Sequence, residues 1–160
     1  MREAERTYIG IDPGTSGGIA IFAPGRRFSV FPMPYSDGAY NEQRICAYLE
    51  EHVHPVAIIE HVHAVYGSSA GSTFNFGMGF GLIRGILAAL EIPYQLVTPK
   101  KWQDVMLHGE NRKDTKAASV RVALRLFPQA NFFVSERSKK HHHGMTDAAL
   151  IAEYGRRMHL

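Results

Sequence analysis

Three carboxylates stand at the ends of apolar runs or at the start of a helical one. Asp12 follows YIGI and Glu60 follows VAII, so each backbone leaves the core carrying an acidic side chain. Asp147 opens the last helical run, and His143 lies one turn before it, on the same face if the helix begins early enough. Carboxylates that converge without an internal cation repel strongly. A divalent cation relieves that repulsion, and oxygen ligands suit Mg²⁺ or Mn²⁺. Each residue also has a plainer reading. Asp before Pro-Gly is a common turn former, and Asp at a helix start complements the helix dipole. Glu60 is harder to dismiss, because uncompensated burial of a carboxylate is costly.

The elements that must position these groups can be read from pattern. Strand-like runs at 8–12 (YIGID), 18–22 (GIAIF) and 28–31 (FSVF) are separated by turn chemistry, which predicts an antiparallel meander. A helix over 41–52 ends at Pro55, and 56–60 (VAIIE) reads as a buried strand. A Gly/Ser linker at 66–72 precedes an apolar helix over 73–90, then a strand at 94–97 and helices near 115–127 and 146–158. Gly77, Gly81 and Gly85 form a small-residue ridge on the apolar helix. Each glycine costs about 1 kcal/mol there, so the ridge is expected to pack closely, against the sheet or a second subunit. The succession describes an α/β sheet of mixed direction. If the Asp12 and Glu60 strands are parallel neighbours, the two carboxylates share one C-terminal edge, where open α/β sheets bind ligands.

Charge is unevenly spread. Residues 1–99 hold six Lys/Arg against nine Asp/Glu, whereas residues 100–140 hold ten against four. A basic segment on an acidic body suits a polyanion, although a solvated helix face and loop would look similar. The chain has 160 residues, 45% apolar and 21% charged, with a mean hydropathy of −0.17. That is the profile of one globular domain over 1–160. One cysteine, Cys46, excludes an internal disulfide and implies an intracellular chain. No apolar stretch reaches about 18 residues, no secretory segment opens the sequence, and no 20–50-residue repeat is present. A cytoplasmic location and no membrane association are therefore expected.

At the stretches IGIDPGTSGGIAIF (9–22), IIEHVHAV (58–65), FNFGMGFGLIRGILAAL (74–90), YQLVTPKKWQDVM (94–106) and HGMTDAALIAEYGRR (143–157), the chain resembles RuvC-type Holliday-junction resolvases, especially their phage-borne branch. The matches span most of the chain in the right order. The resemblance implies a ribonuclease-H-like fold, a five-stranded mixed sheet flanked by helices. It also implies a homodimer that nicks four-way DNA junctions in pairs in a bacterial or phage-infected cell. Two divalent ions per site, Mg²⁺ or Mn²⁺, would drive hydrolysis to 5′-phosphate and 3′-hydroxyl ends. By that resemblance Asp12, Glu60 and Asp147 are catalytic metal ligands, with Asp12 bridging the ions. The family's remaining acidic position falls in HHHGMTD, where His143 is the best match and His142 stands behind it. His63 and Tyr66 fall where the family approaches the junction centre, and Lys100, Lys101, Lys113 and Lys116 fall where it contacts DNA.

Other readings compete. GIDPGTSGG is also similar to the phosphate loop of sugar kinases and actin-like ATPases, but that class needs a second lobe. A junction-binding protein without catalysis predicts a broken acidic set, yet all three carboxylates are present. A related nuclease acting on other branched DNA or on RNA fits the same residues.

Overall fold

Unbroken burial from Thr7 to Ile11 along β1 (Thr7–Asp12) shows that both faces of the sheet are covered. Ile9 and Ile11 enter one apolar cluster, while Tyr8 enters another on the opposite face, as a period of two requires. The structure is a computed structural model that describes residues 6–25, 28–61 and 69–160. β2 (Gly18–Phe22) and β3 (Ser29–Pro32) continue from β1 as the expected antiparallel meander. A small hairpin follows, β4 (Tyr35–Ser36) and β5 (Ala39–Tyr40). Its turn is Asp37-Gly38, both at positive φ (53° and 82°), the pair that tight hairpins favour.

Asn41 caps α1 (Glu42–Leu49), its side chain accepting from the Arg44 N–H. β6 (Pro55–Glu60) then runs parallel to β1, and α2 (Ala70–Ala89) returns the chain to β7 (Tyr94–Val97), which pairs parallel with β6. The sheet order is β3-β2-β1-β6-β7. Three helices close the chain: α3 (Pro99–Met106), α4 (Thr115–Leu126) and α5 (His143–Arg157). One face of the sheet packs on Ile45, Leu49, Ile83 and Leu87 of α1 and α2. The other packs on Trp102, Val122, Ala148 and Ile151 of α3, α4 and α5. The mixed α/β architecture expected from the sequence is the one observed.

Helix α5 lies unusually close to the sheet, and three glycines explain it. A Cβ on Gly10 would sit 2.1 Å from the Ala148 carbonyl, and one on Gly18 would sit 2.7 Å from that of Gly144. A Cβ on Gly144 would in turn meet the Ser16 carbonyl at 2.2 Å. No side chain fits at these contacts, so the α5 backbone rests directly on β1, β2 and the loop between them.

Three expectations need correction. The ridge of Gly77, Gly81 and Gly85 does not pack on the sheet, because a Cβ at any of them would meet no atom within 4 Å. The glycine that α2 does need is Gly79, whose added Cβ would strike the Tyr40 hydroxyl at 2.1 Å. The linker read at 66–72 is helical from Ala70, capped by Ser69, while its residues 66–68 lie outside the described part. The basic segment also contains an unforeseen helix, α3, despite a sequence signal in Thr98 at the N-cap and Pro99 behind it.

Candidate active site

The parallel pairing of β1 with β6 brings the first two carboxylates together. Ile11 pairs with Ile59, so Asp12 and Glu60 are the next residues out, side by side at the C-terminal edge. Period two places both on the face covered by α5. Asp12 is held by its own turn: the Gly14 N–H donates to Oδ1 at 3.2 Å, and the Gly17 N–H donates to the Gly14 carbonyl at 2.8 Å. The Tyr40 hydroxyl donates to the Pro13 carbonyl at 3.2 Å, pinning the turn from the other side. Burial pushes the Asp12 carboxyl up, against the lowering effect of the Gly14 N–H.

Glu60 is 9% exposed and accepts a 2.8 Å hydrogen bond at Oε1 from the indole N–H of Trp102, on α3. Its carboxyl is pushed up to about 7 by burial and by the charge of Asp12, with Asp147 adding to the effect and Trp102 opposing it. The third carboxylate, Asp147, sits one turn into α5. Burial raises it to about 7 as well; Asp12 adds to the rise, while the Ser119 hydrogen bond and Lys116 oppose it. Its Oδ1 is buried without a hydrogen-bond partner. Asp12 thus perturbs both other carboxyls, as neighbouring like charges must.

An open cleft of about 440 Å³ lies beside Asp12 and Asp147, lined also by Ser16, Lys116, Lys140 and His143. Glu60 is not among the residues that line it. Among the described residues, no three His, Cys, Asp or Glu side chains gather closely enough to make a ready ligand shell. The donor set nevertheless fits a hard divalent cation: three oxygen-bearing groups on adjoining elements, one oxygen orphaned, two carboxyls strained by charging.

The three consecutive histidines occupy distinct places. His141 packs against the Phe133 ring at 4.4 Å. His142 is the N-cap of α5, its Nδ1 accepting from the Met145 N–H at 3.2 Å. His143 is exposed at the cleft, one turn before Asp147. Of the lysines, Lys116 reaches the cleft, Lys101 and Lys113 are exposed, and Lys100 is paired with Asp104 at 2.6 Å. His63 and Tyr66 lie outside the described residues. Sequence reasoning passed over Trp102 and Ser119, which touch Glu60 and Asp147 from α3 and α4. A buried tryptophan needs an acceptor for its N–H, and that was the available signal.

No family model and no curated protein sequence matches the chain. Solved structures do. Thermus thermophilus RuvC aligns over 96% of both chains at 14% identity with a TM-score of 0.58. T. thermophilus RuvC in complex with Holliday junction substrate aligns over the same shares at 16% and 0.61. The yeast mitochondrial Holliday junction resolvase Ydc2 aligns over 96% of this chain and 78% of its own, at 18% and 0.57. The fold is that of RuvC. A RuvC fold positions chemistry without dictating it, so function must be argued from the carboxylates.

Proposed function

We propose that this chain is a structure-selective DNA endonuclease of the RuvC type, of its phage-borne branch, that resolves four-way junctions by divalent-metal-dependent phosphodiester hydrolysis. What supports this reading is Asp12 between two other largely buried carboxylates, Glu60 beside it at the sheet edge and Asp147 across a shared cleft, both raised by its charge. Asp12, Glu60 and Asp147 would hold two Mg²⁺ or Mn²⁺ ions, with His143 as the remaining ligand. Such ions supply an activated water and stabilise the departing oxygen. The protein's own residues do the rest. The Gly14 N–H and the Trp102 indole orient two of the carboxylates, and Ser119 orients the third. Lys116 offers a cation to phosphate at the cleft, with Lys101, Lys113 and Lys100 as further contacts, so affinity should fall steeply with salt.

Paired incision across a junction needs two sites related by a two-fold axis, which implies a homodimer. The outward face of α2, with Phe74 and Met78 exposed beside Gly77 and Gly81, is our candidate for that contact. The working location is the bacterial cytoplasm; among the described residues no helix is long and apolar enough to cross a membrane.

The test is cleavage of a mobile four-way junction beside linear duplex, in Mg²⁺ and in Mn²⁺, with product ends mapped. Paired nicks with 5′-phosphate ends are expected on the junction alone. Asp12→Asn and Glu60→Gln should abolish nicking yet keep junction binding, because phosphate contacts carry most of the affinity. Near-normal turnover in either variant would sink the metal assignment. Binding without cleavage by the parent would leave a junction-binding protein, and preferred cleavage of flaps or RNA would reassign the substrate.

A further inference from the structure

Helix α3 is anchored immediately beside the candidate site. The Val97 carbonyl at the end of β7 accepts from the His61 N–H at 2.8 Å, tying that strand to the residue after Glu60. Thr98 then caps the helix, its carbonyl accepting from the Trp102 N–H at 3.3 Å. Trp102 therefore sits within about one turn of a fixed strand end. Its side chain is 0% exposed, packed among the apolar residues under α5. The single polar atom of that indole could have met any backbone carbonyl nearby; it meets the Glu60 carboxylate instead.

We propose that Trp102 is the positioning residue for Glu60: its indole N–H holds Oε1 and so presents Oε2 as the ligand oxygen to a divalent ion. The proposal rests on the reading of Glu60 as a metal-bearing carboxylate. An ionised carboxylate accepts a charge-assisted bond more strongly than a neutral acceptor does. An indole can only donate, so it stabilises the anionic form and cannot compete as a ligand. Phe at this position would keep an apolar ring and lose the hold. Partners one layer behind a metal ligand act in this way, and removing one typically weakens metal binding about 10–100-fold.

Trp102 is the chain's only tryptophan, so a tryptophan analogue supplied during expression enters at this position alone. Benzothienylalanine keeps the bicyclic shape and puts sulfur where the N–H stands, which removes the donor without opening a cavity. Mn²⁺ binding to the full chain, measured calorimetrically without DNA, should weaken about 10–100-fold in the analogue protein. Turnover on the junction should fall while junction affinity stays unchanged. Trp102→Phe should show the same loss, with its urea midpoint recording any separate cost to folding. Parent-like Mn²⁺ affinity and turnover in the analogue protein would overturn the proposal and leave Trp102 a core residue. Glu60→Gln, run in parallel, separates the two claims. If it binds Mn²⁺ as the parent does, the reading of Glu60 fails; if it does not and the analogue protein does, only the role of Trp102 fails.

Discussion

Three neighbouring imidazoles are chemically alike, yet their surroundings separate them. His142 has its Nδ1 engaged as the cap of α5, and His141 lies against Phe133. All three border the cleft, but His143 is the exposed one and stands one turn before Asp147 on α5. His143→Ala should therefore lower nicking far more than His141→Ala, and His143→Asp should retain activity. A nitrogen donor favours Mn²⁺ over Mg²⁺ more than an oxygen donor does, so the aspartate variant should narrow that preference. Rates in the two metals check this, and parent-like rates for His143→Ala would remove the residue from the site. That Asp12 and Glu60 end neighbouring strands was legible in the sequence because each follows an apolar run. The support beneath them was not. Trp102 lies 42 positions from Glu60, and no periodicity links an indole on a helix to a carboxylate on a strand.

Elements succeed or fail here through backbone contact. The meander, the buried parallel strand and the terminal helices follow from short apolar runs, turn residues and helical spacing, which is why they could be read. The glycines of α2 misled, because spacing reveals a ridge but not what faces it. Gly81 faces open space, so Gly81→Ala should stabilise the isolated fold by up to about 1 kcal/mol through helix propensity. If that face meets a second copy, the same methyl should weaken self-association. Gly144 is the opposite case, with Ser16 and Gly17 backbone where its Cβ would stand. Gly144→Ala should cost about 1–3 kcal/mol through overpacking and displace Asp147 from Asp12, so nicking should fall beyond the loss of fold. Urea midpoints with sedimentation separate the two variants. An unaltered midpoint and activity in Gly144→Ala would show that α5 can retreat without consequence.

At the scale of the whole molecule, the site works against folding. Glu60 rises from 4.5 and Asp147 from 3.8, both to about 7, and Asp12 is also raised, in each case chiefly by burial. The folded chain thus holds protons that the unfolded chain has released between about pH 4 and pH 7. Stability from these groups is complete below that window and is lost as pH rises through it. Glu153 has the opposite sign: Arg156 and Arg157 outweigh its burial and hold it low, so its contribution is lost as pH falls through its lowered value. In chelator, the melting temperature should fall from pH 5 to pH 8. Asp147→Asn should flatten that fall, and Mg²⁺ should restore more stability at pH 8 than at pH 5. A flat profile in the parent, measured by thermal melts in chelator, would refute the picture.

The bond between Trp102 and Glu60 has one more consequence. Indole emission depends on what its N–H meets, and this chain has no second indole to dilute the signal. Its indole emission therefore comes from one buried fluorophore whose N–H is bonded to a carboxylate of the candidate site. The protein carries its own optical gauge: without dye or label, its colour reports the state of Glu60.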